Sequence, residues 1–278
     1  MGKSYIFSVL FLVSGIGIAQ SQPLIKIIFY PETPHEQHYN FNTQGYLSDI
    51  RKSDGTMEQE FVYDVNNNLI ESIRYNSAGL PTSFTITYDA NNRMTQAGTM
   101  VLTYDPSFTR YIYDPEYTNE YEYLDYTHYD LTEEGLLNSQ KSYFVAVDVE
   151  NYMDQPYQCY YNNGNLIRLA LDNFNHSRRW EYVYFTNPLK NAMLPILKTM
   201  GIVDNSYSSA YLRPDFCSSQ LVSSVRYELE DPESSQFIYQ LNANNLPIKK
   251  IERMYYFNTL EMVRTAALYY YAGDEIPQ

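Results

Sequence analysis

The chain has 278 residues, with 19 Lys and Arg against 33 Asp and Glu, and a net charge of −14. It carries 31 Tyr but only 11 Gly and 2 Cys, which excludes a fibrous glycine repeat and a disulfide-stapled mini-scaffold, and its 44% apolar content excludes full disorder. The acidic balance disfavours nucleic-acid binding, which draws on clusters of Lys and Arg.

The chain opens with Lys3 and then an apolar run from Ile6 to Ile18, too short to span a bilayer as a helix. Small residues follow at Gly17, Ala19 and Ser21, so residues 1–21 read as a secretory signal peptide. No later run is long and apolar enough for a transmembrane helix. The expected exported chain is residues 22–278, one antiparallel β domain. Its compartment is then the periplasm, the outer-membrane periphery or the extracellular space. His35-Glu36-Gln37-His38 spaces its histidines by three rather than the four of a helical zinc motif, and reads as a solvated loop near Pro31 and Pro34.

From residue 63 the chain repeats itself. Tyr63-Asp64-Val65-Asn66-Asn67-Asn68-Leu69 returns as Tyr88-Asp89-Ala90-Asn91-Asn92-Arg93-Met94, with Tyr75-Asn76-Ser77-Ala78-Gly79-Leu80 between them. Looser copies start at Tyr129, Tyr161 and Tyr239. Each copy is an aromatic residue, then polar turn formers, then an apolar residue. Asn, Asp and Gly tolerate positive φ and close a chain reversal by local bonds. Between the turns the chain alternates: Phe84, Ile86 and Tyr88 fall on one face, and Ser83, Thr85 and Thr87 on the other. Leu69, Glu71, Ile73 and Tyr75 are likewise assigned to one face of a strand. This is the period of half-buried antiparallel strands, roughly 15 of them. A meander of that length tends to curl or close. Asp64 to Asn68 superficially resembles the start of a calcium loop, but Leu69 and Tyr75 stand where Gly and Glu are required.

Between Asp114 and Glu134 lie eight carboxylates and no Lys or Arg, interleaved with tyrosines. Aromatic faces stack on sugar rings and carboxylates accept hydroxyl hydrogen bonds, so Glu120, Tyr121, Glu122 and Tyr123 are candidate glycan contacts. The alternative is a tyrosine row behind a solvated acidic face that blocks edge pairing. Cys159 and Cys217 could pair in an oxidising compartment or stand as two separate buried thiols. Asn187-Pro188-Leu189 has the start signals of a helix, and Leu189, Met193, Leu194, Leu197 and Met200 recur near helical spacing, so a short helix is expected over about 188–200. The stretch 202–220 has no period; Tyr211 and Arg213 within it are candidates for a pocket mouth.

The Tyr-Asp-x-Asn-Asn and Tyr-Asn-Asn-Gly-Asn-Leu units resemble YD (RHS-type) repeats. The order of a YD-like meander, Trp180-Glu181-Tyr182-Val183-Tyr184, the Asn-Pro-Leu segment, Leu221 to Val225 and Phe237-Ile238-Tyr239 is similar to an uncharacterised Bacteroidota secreted family with a porin-like fold. The similarity covers about residues 40–100 and 155–255. It implies a many-stranded antiparallel sheet in the cell envelope and no catalytic residues.

The resulting expectation is an all-β, up-and-down meander, barrel-like or strongly coiled, with one short helix packed on it. No nucleophile motif, phosphate loop or cofactor motif stands out. The function expected is a non-enzymatic envelope binding or scaffold module, with a glycan or envelope component as partner. The alternatives are a polysaccharide-acting enzyme with paired carboxylates and an outer-membrane β-barrel. Against the last, Glu71 and Arg74 put a charge on each face of one strand.

Overall fold

The structure is a computed structural model that describes residues 23–276, apart from 92, 99, 105–109, 114–123, 132–136, 147–148, 164, 174–175, 185–220 and 229–232. The segment expected to be a helix, 188–200, lies outside the described residues, as does 202–220. The described elements are all strands: β1 (Leu24–Phe29), β2 (Gln37–Phe41), β3 (Leu47–Lys52), β4 (Met57–Tyr63), β5 (Leu69–Tyr75) and β6 (Pro81–Tyr88). Next come β7 (Met94–Ala97), β8 (Met100–Tyr104), β9 (Arg110–Tyr113), β10 (Leu124–Leu131), β11 (Leu137–Ala146) and β12 (Val149–Asn162). The last six are β13 (Asn165–Asn173), β14 (His176–Tyr184), β15 (Val222–Glu228), β16 (Glu233–Leu241), β17 (Pro247–Tyr256) and β18 (Thr259–Tyr271). The count exceeds the expected 15 because strands such as β7 and β9, with 4 residues each, are too short to show a period.

Each strand pairs antiparallel with the next in sequence, from β1–β2 to β17–β18. β18 also pairs with β1, Leu24 opposite Tyr271 and Phe29 opposite Ala267, so the order of pairings comes back to its start. The order of pairings is that of a barrel-like meander, one of the two outcomes expected of its length.

One turn is used again and again. In residues 42–46, 52–56, 64–68, 76–80 and 242–246 the first N–H donates to the fifth carbonyl and the fourth N–H to the first carbonyl. The fourth residue must then adopt positive φ: Gly45, Gly55, Asn67, Gly79 and Asn245 sit at 85°, 82°, 64°, 74° and 59°. This is why Gly or Asn stands fourth in each copy. Where the first residue is Asn or Asp (Asn42, Asp64, Asn76, Asp89, Asn242), its Oδ1 accepts the N–H groups of the third and fifth residues at 2.8–3.0 Å. The Asp64 oxygen that a calcium loop would offer is thus spent on its own turn.

A bulge follows the turn. The register slips between Asn40 and Phe41, Val62 and Tyr63, Thr87 and Tyr88, and Gln240 and Leu241. The slip moves the inward position from two residues on to three. Hence Leu47 and Ile50, Leu69 and Ser72, Met94 and Ala97, and Pro247 and Lys250 are the buried pairs. The expected shared face of Leu69, Glu71, Ile73 and Tyr75 is corrected by this bulge: Leu69 and Ser72 are each 2% exposed. On β6, which has no bulge at its start, Phe84, Ile86 and Tyr88 point inward and Ser83, Thr85 and Thr87 outward, as the alternation predicts.

The tyrosine before the turn ties one copy to the previous one. Tyr63 donates to the carbonyl of Leu47 at 2.8 Å, Tyr88 to that of Leu69 at 2.9 Å and Tyr271 to that of Pro247 at 2.9 Å. Each acceptor lies beside a bulge, where the ladder is interrupted and a carbonyl needs a donor. Inward residues of β1 to β8 and β18, among them Ile27, Leu47, Leu69 and Ala267, form a single apolar cluster lined by Tyr46, Tyr63, Tyr88 and Tyr104.

Candidate functional site

Because strands alternate in direction, the turns 42–46, 64–68 and 89–93 share one rim with the end of β18 at Tyr271. The opposite rim carries the β1–β2 loop, the turns 52–56 and 76–80, and the β17–β18 hairpin. The candidate site is a cleft of about 410 Å³ on this second rim, between the β1–β2 loop and the β3–β4 turn. Its lining combines the aromatic Phe29, Tyr30 and Tyr39 with the polar or charged His35, Glu36, Lys52, Asp54 and Glu58.

Pro31 and Pro34 prevent β1 and β2 from meeting in a tight hairpin. The connection instead folds on itself: the Thr33 hydroxyl donates to the Tyr30 carbonyl at 2.7 Å, and the Glu36 N–H to the Thr33 carbonyl at 3.1 Å. Tyr30 sits at φ 49° and Glu32 at 62°, left-handed conformations that cost of order 1 kcal/mol in a non-glycine residue. Tyr30 is held there on both sides. Its N–H donates to the Ala266 carbonyl at 3.0 Å, and the Arg264 guanidinium lies 4.5 Å from the centre of its ring. Arg264 is fixed in turn by Glu252 at 2.7 Å, and Glu252, 8% exposed, accepts the Ser235 hydroxyl at 3.1 Å. Phe29 and Tyr39 meet edge to face with centroids 4.9 Å apart.

The carboxylates of the cleft lining are engaged. Glu36 accepts the Glu32 N–H at 2.6 Å and pairs with His38 Nε2 at 2.7 Å. Burial pushes the Glu36 carboxyl up, but the Glu32 N–H, His38 and Lys26 outweigh it and the net displacement is downward. The Thr56 hydroxyl and N–H hold Asp54 below the usual carboxylate range, the N–H at 2.8 Å. Glu58 accepts the Gln37 side-chain amide at 2.9 Å. Three carboxylates against Lys52 leave the cleft wall negative. Fixed rings together with hydrogen-bonding groups in one lining suit a hydroxyl-bearing ligand.

The cleft was read from the sequence only as a solvated loop. His35 and Glu36 are in that loop and line the cleft, but Gln37 and His38 already belong to β2. The two prolines were the usable signal. Glu120, Tyr121, Glu122, Tyr123, Tyr211 and Arg213 lie outside the described residues. Cys159 is on β12 with a free thiol, 1% exposed, its pKa pushed up to about 12 by burial; Cys217 lies outside the described residues.

The chain matches no protein-family model, and no curated protein matches it. Among solved structures it is similar to a porin-like protein from Bacteroides uniformis at 13% identity and a TM-score of 0.42, covering 90% of this chain and 98% of that one. It is similar also to a porin-like protein from Bacteroides vulgatus at 12% identity and a TM-score of 0.37, covering 91% and 99%.

Proposed function

We propose that this protein is an exported envelope binding module of YD-repeat type that takes a glycan in the rim cleft between the β1–β2 loop and the β3–β4 turn. The observation that carries the reading is Tyr30, a ring held in a strained backbone by Arg264 and Ala266 in the lining of a cleft that also presents hydrogen-bonding groups. Stacking on a fixed ring and hydroxyl bonds to carboxylates are what a sugar offers a partner for. Glu36 and Asp54, both displaced downward, do not suit the role of a glycosidase acid, which needs a raised pKa.

The orientation of the strands supports a water-facing exterior over a lipid-facing one. A membrane barrel turns its apolar residues outward. Here the buried apolar residues of β1 to β8 form the inner cluster, and Ser83, Thr85 and Thr87 of β6 point out, with Val101 of β8 an exposed exception.

The test is a glycan array on the processed chain, followed by titration of any hit against Tyr30→Ala. A sugar bound by the parent and weakened at least about tenfold by the variant, a loss of about 1.4 kcal/mol, is the expected result. No bound sugar up to millimolar concentration would remove the glycan from the proposal.

A further inference from the structure

Glu58 stands apart from the other carboxylates of the cleft lining. Glu36 gives one oxygen to the Glu32 N–H at 2.6 Å and the other to His38 at 2.7 Å. Asp54 accepts the Thr56 N–H at 2.8 Å within its own turn. Both hold the lining in shape. Glu58 accepts a single hydrogen bond among the described residues, from the Gln37 side-chain amide to Oε2 at 2.9 Å. A carboxylate can accept about four, so Oε1 keeps its capacity.

Its aim is set by a bulge. Met57 pairs opposite Arg51 and Gln59 opposite Ile50, and the register skips Glu58 between them. Gln59 donates inward to the Ser72 hydroxyl oxygen at 2.8 Å, and strict alternation would turn Glu58 outward. The bulge releases it from that alternation, and it lines the cleft instead. Gln37, which holds it, lies opposite Phe29 in the β1–β2 register, and Phe29 meets Tyr39 edge to face. Ring, amide and carboxylate thus follow one another across β1, β2 and β4. The cations nearby are matched elsewhere: His38 and Lys26 act on Glu36, Lys52 acts on Asp54, and Arg264 pairs with Glu252. Glu58 faces an uncharged amide.

We infer that Glu58 is the specificity-determining residue of the cleft, accepting a hydroxyl of a neutral sugar at Oε1 and excluding sugars that carry a carboxylate or sulfate. The inference rests on the glycan reading of the cleft and adds the class of glycan to it. A neutral sugar brings hydroxyl donors to a carboxylate that has room for them. An acidic sugar brings a second acceptor and a second negative charge to a place whose neighbouring cations already face Glu36, Asp54 and Glu252. Like charges held that close cost affinity, and more in a partly buried cleft than in open water.

Matched oligosaccharides test it: short oligomers of glucose, galactose and mannose, and oligomers of the corresponding uronates, titrated onto the processed chain. The expected result is that a neutral oligomer binds and its uronate counterpart binds at least about tenfold more weakly. Glu58→Gln keeps an oxygen for the Gln37 amide, so it should hold the fold by circular dichroism and bring that ratio within about threefold. Glu60→Gln is the control. It removes the same charge from the same strand, but Glu60 lies opposite Asp49, accepts the Tyr75 hydroxyl at 3.1 Å and is no part of the lining, so the ratio should persist. Neutral and uronate oligomers bound equally, or the uronate preferred, overturns the inference and leaves the glycan reading standing. A ratio unchanged in Glu58→Gln, or closed equally by Glu60→Gln, overturns the assignment to Glu58. No oligomer bound up to millimolar concentration removes the glycan reading, and the inference with it.

Discussion

At the scale of the residue, the Tyr-Asp or Tyr-Asn pair does two separate jobs. The second residue closes its own turn with its side chain, and on one rim the tyrosine reaches back to the previous copy. Tyr63, Tyr88 and Tyr271 all donate to a carbonyl beside a bulge. Removing one hydroxyl leaves that carbonyl unpaired at the edge of the core, so Tyr63→Phe should lower stability by about 1 kcal/mol in chemical denaturation. The same phenols set an alkaline limit. Burial raises Tyr63 and Tyr271, and raises Tyr88 to about 12, with the Tyr46 and Asp64 neighbours adding to Tyr63 and Tyr88 respectively. A phenol raised on folding holds its proton better in the native state. Its contribution is complete below the unfolded value of about 10 and is lost as pH climbs towards 12. The thermal midpoint should therefore be level up to about pH 9.5 and fall above pH 10, with a shallower fall in Tyr88→Phe. A midpoint that stays level to pH 12 would refute the buried, donating phenols.

At the scale of the element, the hairpin between β7 and β8 depends on one glycine. Gly98 sits at φ 60°, donates its N–H to the Thr85 carbonyl at 2.7 Å, and would place a Cβ 2.9 Å from Cδ1 of Phe84. Gly98→Ala pays the left-handed conformation, about 1–2 kcal/mol, and must also displace the Phe84 ring. Gly79→Ala, at φ 74° with nothing near its Cβ, pays the backbone term alone. The expected order is a larger loss at 98 than at 79 by urea denaturation, and equal losses would show that Phe84 yields freely. The turns were open to a reading of the sequence because their chemistry is local: Asn or Asp first, Gly or Asn fourth. The bulges were not, because a slip of register is decided by the partner strand, and that is why Ser72 rather than Glu71 shares the inward face with Leu69. The cleft was hidden for a similar reason. Tyr30, Glu36 and Asp54 are brought together only once β2 has paired with both β1 and β3, and no spacing along the chain announces it.

At the scale of the whole molecule, almost every pairing joins neighbours in sequence, and the β1–β18 seam alone joins the two ends. That seam buries Ile27 and Ala267 completely, and the Ala272 N–H donates to the Pro23 carbonyl at 3.0 Å just beyond it. A chain whose order of pairings is circular has no privileged starting strand. Linking the C-terminal residues to Pro23 by a short flexible segment, and opening the chain between Ser77 and Ala78 in an exposed turn, should leave every pairing in place. The cut forfeits the bond from the Ala78 N–H to Asn76 and frees part of one turn, so the permuted protein should fold with the same circular dichroism spectrum and lose no more than about 2 kcal/mol. The same cut without the linker separates the chain into two pieces held by pairing alone, and should unfold at lower denaturant and depend on concentration. A permuted chain that fails to fold while the parent is stable would mean that β1 and β18 do not complete the order, and that the meander is an open sheet with two free edges.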